Sequence, residues 1–108
     1  MTDKKFQIVG RLIDRKNRSA LSGYLIEAWD SDLFIDDFVG CDTTDAEGKF
    51  HMEFSEKYFR ELFFDRHPDI YFKIFKRGEL IASTEDSVLW NVQAGETEID
   101  VEVDPEDT

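Results

Sequence analysis

Lys49-Phe50-His51-Met52-Glu53-Phe54 alternates polar and apolar residues without a break. Successive side chains along a β-strand point to opposite faces, so Phe50, Met52 and Phe54 share one face while Lys49, His51 and Glu53 share the other. A strand with one apolar and one wetted face belongs in one layer of a sandwich. The segment before it, Asp42-Thr43-Thr44-Asp45-Ala46-Glu47-Gly48, is rich in turn residues. Asp45 can accept backbone amides and Gly48 can take positive φ, which predicts a hairpin back to a strand starting Phe38-Val39-Gly40-Cys41.

Working outward, the same period recurs. In 6–13, Phe6, Ile8 and Leu12 fall on one face, and Gly10 on that face predicts a close backbone approach. Residues 24–29 form a second strand, 70–75 and 80–83 two later ones, and 97–103 alternates throughout. A weaker extended pattern covers 87–92. Between the middle strands the period changes: Tyr58, Phe59, Leu62 and Phe63 make a helical stripe over 55–63, with Ser55 as N-cap and Glu56 in the first turn. Pro68 closes that segment. About seven short strands and one short helix predict an all-β fold, a two-layer Greek-key β-sandwich. The chain of 108 residues is expected to be one domain, with a core over about 5–103 and an acidic tail at 104–108.

The bulk properties narrow the function classes. Hydrophobic residues are 41% and aromatics 14%, with ten Phe, enough apolar surface to order most of the chain. Twenty-five acidic against 13 basic residues give a net charge of -12. That charge repels phosphate backbones, so nucleic acid is disfavoured, as is an anionic membrane without a bridging calcium ion. The single cysteine, Cys41, excludes an intramolecular disulfide. Met1-Thr2-Asp3-Lys4-Lys5 runs straight into a strand pattern with no apolar signal core, and a cytoplasmic location is the expectation.

Gly10-Arg11-Leu12 in a first strand, Glu27-Ala28-Trp29-Asp30 closing a second and Thr44-Asp45-Ala46-Glu47-Gly48-Lys49-Phe50 at the turn together resemble transthyretin-like (prealbumin-like) domains. The Thr-Asp-x-x-Gly-x-Phe turn is similar to that of carboxypeptidase regulatory-like domains in the same superfamily. The resemblance spans roughly residues 5 to 103 and implies a prealbumin-like sandwich. The family's small enzyme hydrolyses hydroxyisourate with His and Arg residues and a C-terminal Tyr-Arg-Gly-Ser. This chain has Val103-Asp104-Pro105-Glu106-Asp107-Thr108 instead, so the resemblance does not imply that activity. Thyroxine transport in the family uses a tetramer channel, and no residue here maps onto it.

Three constellations bear on function. Asp30, Asp32, Asp36 and Asp37 lie close together between two strands, and clustered loop carboxylates are calcium ligands. Their order also resembles the loop of calcium-dependent phospholipid-binding domains, with a shorter spacing and no second acidic loop. The alternative is a solvated loop whose carboxylates cap turn amides. His51 and His67 have no orienting partner or nucleophile among their sequence neighbours, which argues against a hydrolase built on either. The third is an outward apolar stripe of Val9, Ile13, Leu25, Trp29, Tyr71 and Phe75, since inward Ile8, Leu12, Ile26 and Ala28 leave these on the opposite faces. Either the helix covers this stripe or a partner does. The expected function is a non-catalytic protein-binding or assembly module without a cofactor, acting by self-association or on a protein partner. A calcium-binding domain on the acidic loop is the alternative, and a small hydrolase the second alternative.

Overall fold

A computed structural model describes residues 4–32, 35–55 and 67–105. Its strands are β1 (Lys5–Asp14), β2 (Leu25–Asp30), β3 (Asp37–Thr43), β4 (Lys49–Ser55), β5 (Ile70–Lys76), β6 (Glu79–Ser83) and β7 (Gly95–Val103). They form a three-stranded sheet, β4-β1-β7, packed on a four-stranded sheet, β3-β2-β5-β6. β1 runs antiparallel to β4 and parallel to β7. Neighbours that are not consecutive in sequence, β1 with β4, β1 with β7 and β2 with β5, follow from connections that cross between the sheets, as in a Greek key. The expected all-β two-layer sandwich is the fold.

Alternation in sequence becomes burial in the core. Phe6, Ile8 and Leu12 of β1, Phe50, Met52 and Phe54 of β4, and Val101 and Val103 of β7 face Ile26, Ala28, Val39, Ile70, Phe72 and Ile74 of the other sheet. Phe6 pairs with Phe54 across the ladder and stacks on it at 5.1 Å between ring centroids. Phe50 meets Phe72 edge-on at 6.1 Å, bridging the two layers. At Gly10 the expected close approach is present: a Cβ there would collide with the Ile99 carbonyl oxygen of β7.

Several expectations need correction. The turn before β4 has the predicted chemistry, with Asp45 Oδ1 accepting the N–H groups of Glu47 and Lys49 at 2.9 Å and Gly48 at φ +76°. It is not a hairpin, however. β3 pairs with β2 and β4 pairs with β1, so the turn is a corner between sheets. Thr44 fixes that corner: its buried hydroxyl donates to the Leu21 carbonyl at 2.7 Å and accepts from the Tyr24 N–H at 3.0 Å. The Leu21–Tyr24 side of the corner thereby takes the bonds a hairpin would have used. The extended pattern at 87–92 contains no strand. It begins in a 3-10 turn, Glu85–Ser87, bridges to the sheet once, Leu89 with Ile70, and buries Val92 in the core. Ser55 ends β4, and the rest of the expected helix at 55–63 lies outside the described residues.

Candidate protein interface on the four-stranded sheet

The register of the four-stranded sheet decides which side chains share its outer face. Leu25 lies opposite Phe75, Glu27 opposite Lys73 and Trp29 opposite Tyr71. On the flanks, Cys41 lies beside Glu27, Phe38 beside Trp29, Leu80 beside Phe75 and Ser83 beside Lys73. Residues paired across antiparallel strands point to the same side, so these ten form one surface. Leu25, Trp29 and Phe75 are half-buried, while Phe38 and Leu80 are 46% and 55% exposed. A set of large apolar side chains this open to water is what an interaction surface presents.

Polar contacts hold the aromatic end of the face in place. The Trp29 indole N–H donates to Glu27 Oε1 at 3.0 Å, and the Phe38 ring meets Trp29 edge-on at 5.7 Å. Lys73 Nζ sits 4.0 Å above the Trp29 ring centre, a cation–π contact. Trp29 is therefore held in one orientation by contacts within the sheet.

Of the six residues expected in the outward stripe, Leu25, Trp29 and Phe75 come together here. Tyr71 points the same way but is only 2% exposed. Its hydroxyl donates to Asp36 Oδ2 at 2.5 Å, so it anchors the loop instead of lining the surface. Ile13 is on the other sheet and 3% exposed, because the chain after β1 folds back and Ala20 bridges to it. Val9 is half-buried on that sheet's outer side, between His51 of β4 and Glu98 of β7. Phe38, Cys41 and Leu80 escaped sequence reading. β-Bulges between Ala28 and Trp29 and between Ile74 and Phe75 set the side on which β3 and β6 present them, and no local pattern marks those bulges.

The acidic loop is bonded to the protein itself. Asp30 is fully buried at the end of β2, and its Oδ1 accepts the Asp69 N–H at 3.0 Å. Asp36 Oδ1 accepts the Asp32 N–H at 2.9 Å. The Tyr71 hydroxyl, then that amide, hold the Asp36 carboxyl below the usual carboxylate range, with Lys73 adding to the effect. Burial, and then Asp36, push the Tyr71 phenol above its ordinary value. Asp37 pairs with Asp30 at the start of β3. Among the described residues, no three or more His, Cys, Asp or Glu gather where they could hold a metal.

The remaining candidates are separate. His51 lies on the outer side of β4 with its Nε2 3.6 Å from Glu53 Oε1. His67 is half-buried just before Pro68. A cleft of about 600 Å³ opens between edge strands β6 and β7. Ile81, Ile99 and Val101 line it, the Arg15–Asp104 ion pair at 2.8 Å sits within it, and no His, Cys or Lys is among its lining residues. No helix among the described residues is long and apolar enough to cross a membrane.

No family model and no curated protein matches the chain. Solved structures match it in fold. A 9R-lipoxygenase from Cyanothece PCC8801 aligns over 94% of this chain at a TM-score of 0.65 and 16% identity. The chain spans 17% of that lipoxygenase's length. The dioxygenase domain of a dioxygenase carbohydrate-binding protein fusion from Streptomyces sp. SirexAA-E aligns over 95% of this chain and 81% of its own, at a TM-score of 0.56 and 18% identity. A 3-chlorocatechol 1,2-dioxygenase from Rhodococcus opacus 1CP aligns over 94% and 60%, at 0.51 and 14%. At these identities the similarity is one of sandwich architecture.

Proposed function

We propose that this chain is a non-catalytic protein-docking module that works through the outer face of its four-stranded sheet. The observation that carries the reading is the exposed pair Phe38 and Leu80 flanking half-buried Leu25, Trp29 and Phe75 on one face. Covering large apolar side chains is worth roughly 1.5–3 kcal/mol each when complete, which gives a partner a reason to bind. The transthyretin-like resemblance fits a sandwich used as a scaffold for contacts. The dioxygenases among the similar structures lend the architecture and not an activity, because function resides in a site and not in a fold.

Cys41 provides a test, since it is exposed, lies beside Glu27 on this face and is the chain's one cysteine. A photoreactive maleimide on Cys41 should yield one saturable protein adduct, with a second chain or with an extract protein, that is lost in Phe75→Glu. The same label on Val9→Cys in a Cys41→Ser background should give none. Equal, unsaturable labelling from both positions would overturn the reading.

A further inference from the structure

We infer that the partner this face fits is a second copy of this chain, packed face to face about a two-fold axis along the midline between β2 and β5. The inference rests on the docking reading above and adds the occupant. The sheet order β3-β2-β5-β6 puts two strands on each side of that midline. Across it, the two open rows pair apolar with apolar and charge with countercharge, Leu25 with Phe75 and Glu27 with Lys73, while Tyr71, across from Trp29, is already covered. A two-fold axis in the interface, running along the strands, lays every β2 side chain over the β5 residue of its own row in the other copy. Apolar Leu25 then meets Phe75. Glu27 meets Lys73, and symmetry makes that contact twice.

Charge favours this face over the rest of the surface. The molecule carries -12, so two copies repel each other in most orientations. Among the described strand positions of the outer face, Glu27 and Lys73 are the two charged residues, one of each sign. The outer side of the other sheet differs, since β7 presents Glu96, Glu98, Asp100 and Glu102 in a row beside β1. Arg11 and Arg18 pair with Asp100 and Glu102 there, and Lys5 and Lys49 lie on the same side, so two copies meeting on that face would have to bury many charges of both signs. Aligned sheets also pack naturally face to face, with strands about 30° apart, as the two layers of a sandwich do.

Sedimentation of the intact chain across a concentration series tests the inference, with circular dichroism checking the fold of each variant. The parent is expected to dimerise. Glu27→Lys places like charges at both symmetric contacts, as does Lys73→Glu, and each variant alone should weaken the dimer by about tenfold or more. Mixing the two variants pairs opposite charges again, and a heterodimer should form that neither makes alone. A parent that stays monomeric at every concentration overturns the second-copy inference, and the docking reading is then decided by the Cys41 adduct. A dimer indifferent to both reversals, or unrescued by mixing, overturns the proposed arrangement.

Discussion

The Tyr71 hydroxyl donates to Asp36 Oδ2 at 2.5 Å, tying β5 to the segment that leads into β3. Asp36 is also the acceptor for the Asp32 N–H, so one carboxylate closes the loop and fastens it to the sheet. A hydrogen bond to a charged acceptor contributes roughly 1.5–3 kcal/mol, and Tyr71→Phe should cost about that much in urea melts at neutral pH. The folded Asp36 carboxyl is held below its unfolded value, so its contribution is present above the unfolded pKa of about 4 and is lost as pH falls through the folded one. Tyr71 has the opposite sign: its raised phenol keeps its contribution below about pH 10 and loses it above. Asp36→Asn should flatten the acid limb of the stability–pH curve; an unchanged limb would show that the bond does not form.

Gly10 has no space for a side chain, because the Ile99 carbonyl occupies the position of a Cβ. Relief requires β7 to shift along its parallel ladder with β1. Gly10→Ala should destabilise by about 2–3 kcal/mol, seen as a lower urea midpoint at constant slope. An unaffected midpoint would mean that β1 and β7 part at Gly10 without cost.

These two relationships differ in how far sequence betrays them. Gly10 stands at an inward position of an alternating strand, where only a close neighbour explains a missing side chain, so it was legible. The Phe50, Met52 and Phe54 row was legible for the same reason: period two leaves each side chain one face to occupy. The Tyr71–Asp36 bond joins residues 35 apart, and nothing local to either signals it. Alternation placed Tyr71 on the outer face, but burial also depends on what lies over a face. Ile13 illustrates the same limit, being covered by the fold-back that carries Ala20. Turn chemistry likewise identified Asp45 and Gly48 correctly without revealing that β3 and β4 enter different sheets.

Thr44 should be the most sensitive residue of that corner. Its hydroxyl both donates to Leu21 and accepts from Tyr24, and the side chain is buried. Thr44→Val preserves the shape and leaves a carbonyl and an amide without their partner, a loss of about 2–3 kcal/mol. Thr44→Ser keeps the hydroxyl and should recover most of it. Equal melting of both variants would remove the corner's role.

Calcium should leave the melting temperature unchanged relative to chelator. Asp30 and Asp36 already accept backbone amides, and Asp36 also accepts the Tyr71 hydroxyl. Binding at a hundredfold excess over the dissociation constant would add about 2.7 kcal/mol, a shift that calorimetry resolves easily. Such a shift would mean that the loop aspartates turn toward a cation and give up these bonds.

The alkylation rate of Cys41 tests most directly whether two copies of the chain meet on the outer face of the four-stranded sheet. In the isolated chain this thiol is exposed beside Glu27. The account predicts that alkylation slows as the parent is concentrated and stays fast at every concentration in Phe75→Glu. A rate that ignores concentration and is the same in both proteins would contradict it.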